Sequence, residues 1–373
     1  MTTTVRGRLL TGDHDLPDAV VVVDDGQVVS VEPAGDDAAD QVVLPGLVDI
    51  HCHGGGGASL TGGDPDEIRA AAAHHLANGT TSLIGSLVTD APERMVTAVA
   101  ALADAVDEGV VAGIHLEGPF LSAERCGAQD PAWLRDPDAA LTERLLDAGR
   151  GHVRVITMAP ELPGADEVAE LAVRRGVVVA AGHTVADTAT TRRFLAAAGR
   201  DLVTHLFNGM PPLHHRDPGP VAGSLAAAAA GDARVELIGD GVHLSDETVT
   251  TVFGLLGADR VLVVSDAMAA AGMPDGDYDL GPQRVKVRDG VARLAQGDSI
   301  AGGTARLLDI VRRLAATDLA TTRAVAAGTR NPAAVLGLDG RVGSLRVGQR
   351  ADLVVTDREL RPVRVMRGGE WVG

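Results

Sequence analysis

A chain of 373 residues with 33 lysines and arginines against 51 aspartates and glutamates carries a formal charge of -18, which excludes a sequence-independent grip on nucleic acid. Hydrophobic residues make up 45% but aromatics only 2%, so the core must be built from Ala, Val, Leu and Ile. Two cysteines exclude a disulfide framework and point to a reducing compartment, and the length suits one large barrel with a small accessory domain.

Residues 1–46 read as short strands at 6–10, 19–23, 27–31 and 42–44. Asp25-Gly26 between two Val-rich runs is a hairpin signal. Residues 1–6 lack the apolar core of a signal peptide, and no uncharged apolar run of about 20 residues is present. A cytoplasmic protein without a membrane span is expected.

From residue 47 a second rhythm begins, in which apolar strands alternate with Ala-rich helices. The strands fall at 47–51, 80–85, 110–116, 153–158, 177–181, 202–206, 235–239 and 261–265. The helices fall at 66–77, 93–106, 138–148, 165–175, 187–197, 222–230 and 246–256. Eight strand–helix units in about 250 residues predict a (β/α)8 barrel of the α/β class. Gly54 to Gly57 does not match the spacing of a dinucleotide-binding loop, so it is expected to permit close backbone approach to a ligand or metal site. A loop at 271–282, a hairpin at 284–295, helices at 304–315, 321–327 and 332–336, and strands at 343–345, 351–355 and 363–366 follow. The two strand-rich ends, 1–46 and 340–373, predict one β-sandwich domain beside a catalytic barrel spanning 47–339.

Functional groups of such barrels collect at the C-terminal ends of the strands. Those ends carry His51 and His53, His115 and Glu117, His183, His205, His243 and Asp266. Any one alone reads as a hydrogen-bonded loop residue; their recurrence on one rim reads as a divalent metal site. Imidazole and carboxylate ligands suit Zn, Fe, Mn or Co alike. A metal lowers the pKa of bound water, and Asp266 on the last strand is placed to take the proton. Metal-assisted hydrolysis of an amide or related C–N bond is expected. The chain has one lysine, Lys286, which argues against a carbamylated lysine bridging two metals.

The stretch Pro45-Gly46-Leu47-Val48-Asp49-Ile50-His51-Cys52-His53 resembles the amidohydrolase superfamily. Within it, His115-Leu116-Glu117-Gly118-Pro119-Phe120, Ala181-Gly182-His183-Thr184, His205-Leu206-Phe207-Asn208-Gly209-Met210-Pro211, Asp240-Gly241-Val242-His243 and Val264-Ser265-Asp266-Ala267 are similar to stretches of the N-acetylglucosamine-6-phosphate deacetylase family. The resemblance implies a main metal on Glu117, His183 and His205, with His51 and His53 holding a second that shares Glu117. Zinc is the expected metal, with iron, manganese, cobalt or cadmium as alternatives. Asp266 is then the catalytic base and acid. Ala128, Gln129, Asn208 and Gly209 would contact the sugar, and Ile300, Ala301 and Gly302 would line the acetyl end. Arg216 and His243 would bind the substrate phosphate, reaching in from the neighbouring subunit of a homodimer. The implied reaction removes acetate from N-acetylglucosamine 6-phosphate to give glucosamine 6-phosphate; N-acetylgalactosamine 6-phosphate or a cyclic amide is the alternative substrate. Gln129 stands where several relatives carry His, which weakens an acid–base role there. Cys126 in the same loop reads either as an indifferent thiol or as one whose modification would perturb substrate binding.

Overall fold

The computed structural model describes residues 2–35 and 39–373; residues 1 and 36–38 of the expected small domain lie outside the described residues. Eight parallel strands form the central sheet in chain order: Leu47–Asp49, Thr80–Leu87, Gly113–Glu117, Val153–Met158, Val178–Ala181, Leu202–Val203, Arg234–Leu237 and Val261–Val263. The barrel closes at its rim, where the Asp266 N–H donates to the His51 carbonyl at 2.9 Å and the His53 N–H donates to the Ala267 carbonyl at 2.7 Å. Val48, Ile50, Ile84, Val155, Ala180, Leu202, Leu262 and Val264 fill its interior, and Ala333, Val335 and Leu336 plug the end opposite the site.

Helices Pro65–Ala77, Pro92–Asp107, Ala139–Ala148, Ala165–Arg174, Thr188–Leu195, Gly219–Ala230 and Asp246–Leu256 follow the first seven strands, and Leu307–Ala315 follows the eighth. Several begin where a side chain can accept an otherwise unpaired backbone N–H: Asp64, Asp138, Asp187 and Ser245 each do so. The sixth strand is shorter than expected, because the chain turns into left-handed backbone at His205 (φ 28°) and Phe207 (φ 81°).

The small domain is a single seven-stranded sheet built from both chain ends, with the parallel pairing of Arg8 to Val42 inside it. Its edge strand Gln27–Gly35 is tied to the segment leading into strand Leu353–Thr356: the Val28 N–H donates to the Gln349 carbonyl and the Ala351 N–H to the Gly26 carbonyl. Val5, Val21, Val28, Val43, Leu353, Val355 and Met366 make its core.

Two expectations change. Residues 276–280, read as loop, form a strand that pairs with Gln283–Arg288, and Val291–Leu294 completes a three-stranded sheet beside the barrel mouth. Its polar sequence, Gly276-Asp277-Tyr278-Asp279-Leu280, lacked a strand signature because it is an edge held by backbone pairing. Residues 343–345 are not a strand; Gly343 has φ 84° and the Ser344 hydroxyl donates to Gln349 Oε1. Within the glycine run, Gly55 and Gly56 lie against helix Pro65–Ala77. A Cβ on Gly55 would lie 2.5 Å from His75 Nε2, and one on Gly56 would lie 2.8 Å from the His74 side chain.

Candidate metal centre and active site

Beneath the mouth of the barrel lies a polar layer. Ser86 Oγ is bonded to His115 Nδ1 at 3.0 Å, His115 Nε2 to Thr157 Oγ1 at 2.8 Å, and Thr157 Oγ1 to Thr204 Oγ1 at 2.7 Å. His115 is therefore fully engaged. Burial, then the positive charge of neighbouring His51, push its pKa well below the ordinary imidazole value, so it stands as a neutral support.

Four of the five remaining rim histidines, His51, His53, His183 and His205, point inward on this layer. Three have their Nδ1 committed: His51 Nδ1–H donates to Glu236 Oε2 at 3.2 Å, His53 to the Ser86 carbonyl at 3.0 Å and His183 to the Arg125 carbonyl at 2.8 Å. That commits each Nδ1 proton and turns each Nε2 to the centre. His51 and His53 Nε2 lie 3.1 Å apart, as do those of His183 and His205. Glu117 stands between the pairs. Its Oε1 is 3.1 Å from His183, 2.9 Å from His205 and 3.5 Å from His51, and its Oε2 is 3.3 Å from His53.

Facing imidazole nitrogens around a buried carboxylate call for positive charge. Burial opposes it, but the Glu117 and Asp266 carboxylates outweigh burial and hold the His51 pKa well above its ordinary value. Glu117 moves the other way: burial raises its pKa, and the charges and hydrogen bonds of the histidines take it well below the usual carboxylate range. A divalent cation fits this donor set, which is N- and O-rich, convergent and buried. Ligand atoms of His51, His53 and Asp266 lie within 4.8 Å of one another, and so do those of His51, Glu117 and His205.

Asp266 sits at the junction of centre and pocket. Its Oδ1 is 3.4 Å from His51 and 3.2 Å from His53, while Oδ2 faces His243 Nε2 at 4.0 Å. Burial would raise its pKa, but His51 and His53 bring it down to about 2, so it is a carboxylate throughout the physiological range. His183 (φ 46°), His205 and Asp266 (φ 46°) all hold left-handed backbone. Each such residue costs about 1–3 kcal/mol and is held by its surroundings.

A pocket of about 300 Å³ opens above the centre, lined among others by Ala128, Gln129, Asn208, Gly209, Ile300 and Gly302. Gly209 has φ 61°, and a Cβ there would come 2.7 Å from His183 Nδ1, so only glycine lets this loop lie against the imidazole. Four expected positions need restating. Gln129 turns its side chain to the centre: Nε2 donates to Glu117 Oε2 at 2.7 Å and Oε1 accepts the Thr89 N–H at 2.6 Å. Ala301 is fully buried against Met268 and Leu280 behind the pocket wall, because alternation along the extended chain turns it away from its neighbours. His243 lines the pocket of its own chain, held by Asp240 Oδ2 at 2.8 Å, instead of reaching outward. Arg216 is exposed beyond the pocket, with Nη1 2.7 Å from His215 Nε2. Cys126 is half-buried, and burial raises its thiol pKa, which leaves little thiolate at neutral pH.

Residues not foreseen from the sequence also shape the site. Glu236 and Asp240 position His51 and His243. Asp49 Oδ1 accepts the N–H of His51 at 3.4 Å and of Ser265 at 3.3 Å across the barrel seam, and burial pushes its pKa up to about 6. Glu236 did leave a signal: a charged residue between Val235 and Leu237, inside an apolar strand, needs a buried partner.

Fold and site together define a metal-centred (β/α)8 hydrolase with a strand-built side domain. The sequence pattern of the amidohydrolase family matches residues 42–372, and the chain belongs to that family. It is 32% identical to N-acetylgalactosamine-6-phosphate deacetylase of Escherichia coli O157:H7, with 99% of each chain covered. It is also 32% identical to N-acetylglucosamine-6-phosphate deacetylase of Bacillus subtilis (strain 168), over 94% of this chain and 92% of that one. A solved mutant of N-acetyl-D-glucosamine-6-phosphate deacetylase from Mycobacterium smegmatis, in complex with N-acetyl-D-glucosamine-6-phosphate, superposes with TM-score 0.94 at 41% identity, over 99% of each chain.

Proposed function

We propose that this protein hydrolyses the acetamide of N-acetyl-D-glucosamine 6-phosphate, releasing acetate and D-glucosamine 6-phosphate. The observation that carries the reading is the pocket itself: the Asp266 carboxylate, with Oδ1 toward His51 and His53 and Oδ2 toward His243, stands where a buried imidazole and carboxylate donor set meets an open cavity. The likeness to a structure that holds this sugar phosphate supports the choice of substrate.

Glu117, His183 and His205 would hold the main divalent cation, and His51 and His53 a second that shares Glu117. A bound cation supplies Lewis acidity, which polarises an acyl carbonyl and lowers the pKa of water. Zinc suits the donor set, and the sequence offers no lysine near the centre for a bridging carbamate. Asp266 takes a proton from the attacking water and returns it to the departing amine nitrogen as the C–N bond breaks. Gln129 holds Glu117 in place, Asn208 and Gly209 border the sugar, and Ile300 and Gly302 close the acetyl side. His243, oriented by Asp240, faces the same cavity as a phosphate-binding group of its own chain. Arg216 brings a guanidinium fork suited to phosphate, and its exposure supports a role in the neighbouring site of a homodimer. The free cysteines support a cytoplasmic location.

The test is acetate release from purified, metal-loaded protein, with metal content measured in parallel. Asp266→Asn should lower kcat by about 10²–10⁴-fold with little change in metal content. Absence of acetate release with any supplied divalent metal sinks the proposal. The relative named for N-acetylgalactosamine 6-phosphate makes the C4 epimer the substrate to run beside it. The higher kcat/KM decides between them, and equal turnover of unphosphorylated N-acetylglucosamine would remove the role given to Arg216.

A further inference from the structure

Glu236 is a fully buried carboxylate on the seventh barrel strand, and no step above needs it. Its Oε2 accepts from two directions: from His51 Nδ1–H at 3.2 Å and from the backbone N–H of His205 at 3.2 Å. Its Oε1 has no partner. One oxygen thus touches the supports of both halves of the donor set. His51 faces His53 and Asp266 on one side, while His205 faces Glu117 and His183 on the other.

A carboxylate behind an imidazole does two things. It fixes the proton on Nδ1, so that Nε2 is the free lone pair, and it makes that lone pair more basic. The bond to the His205 N–H adds a third effect, bracing a residue held at φ 28°, where an L side chain is strained. A buried carboxylate without a salt-bridged arginine or lysine is costly, and a nearby divalent cation offsets that cost.

We propose that Glu236 is a positioning residue that sets the affinity of the His51–His53 metal subsite and thereby whether the centre holds two metals or one. This rests on the metal-centred reading above and goes beyond it by naming what controls the second ion.

The experiment is a zinc titration of the full chain after chelator stripping, with bound metal per subunit measured by mass spectrometry. Wild type should fill two sites. Glu236→Gln keeps the shape and an acceptor for the His205 N–H; it should weaken the second site about 10–100-fold and leave the first filled. In a His51→Gln background, Glu236→Gln should change metal content no further, because the imidazole through which it acts is gone. Thermal unfolding of each variant, measured alongside, separates misfolding from metal loss. If Glu236→Gln melts early yet binds both ions within about threefold of wild type, Glu236 is only structural and the proposal is overturned. A wild type that fills a single site at saturating zinc also overturns it. A wild type that binds no metal overturns the function proposed above as well, so the two failures are distinguishable.

Discussion

Glu117 and His53 show how strongly the centre demands positive charge. Burial works against a charged His53, but hydrogen bonds to Asp266 and Glu117 prevail and raise its pKa from 6.5 to about 9. In metal-free protein at neutral pH the charge is therefore carried by protons, which a cation must displace. Metal binding at pH 7 should release protons, seen as a calorimetric enthalpy that changes with the ionisation enthalpy of the buffer. The sign follows: apparent affinity rises with pH up to about 9 and falls as His53 takes up its proton below it. A buffer-independent enthalpy would mean that the Nε2 atoms are already free. Most of these side chains were legible in the sequence, because His, Glu and Asp recurring at strand ends form a pattern that packing alone seldom demands. Asp49 and Glu236 were not, since Asp49 reaches Ser265 across the seam and Glu236 is hidden inside an apolar strand; Asp240 was read only as a turn or capping residue.

Among the elements, helix Pro65–Ala77 carries an interaction sensitive to acid. His75 Nε2–H donates to the Gly54 carbonyl at 2.9 Å, tying the helix to the loop behind His51 and His53. Burial lowers its pKa from 6.5 to about 4. Between those values the unfolded chain binds a proton that the folded protein refuses. The contribution is therefore complete above pH 6.5 and is lost as pH falls toward about 4. The loss amounts to about 3 kcal/mol at most. Urea unfolding across this range should show that slope in wild type and a flatter one in His75→Gln, which keeps a donor but does not titrate; an unchanged slope would assign the acid sensitivity elsewhere. Helices were read closely from the sequence because their Ala-rich periodicity and Asp or Ser caps are local signals. The strand Gly276–Leu280 was missed because its order comes from pairing with Gln283–Arg288, not from its own composition.

At the scale of the whole molecule, the small domain joins residues more than three hundred positions apart. Val5 and Val43 share a core with Leu353 and Met366. Met366 is fully buried there, and Met366→Ala should cost about 2–5 kcal/mol in urea unfolding. A homodimer makes a sharper prediction. Arg216→Ala and Asp266→Asn chains, each nearly inactive, should recover about a quarter of wild-type activity when co-refolded, because half of the random dimers then hold one intact site. No recovery would place Arg216 in its own chain's site or outside the chemistry. The sequence alone determined the (β/α)8 barrel and the gathering of His, Glu and Asp side chains on its rim, because hydrophobic period and side-chain chemistry are written residue by residue. Only the tertiary structure decided that Gln129 faces Glu117, that His243 serves its own pocket, that the glycine run admits His75, and that Glu236 underlies both halves of the centre. Each of these depends on which side chains meet across the barrel, and distance along the chain carries no record of that.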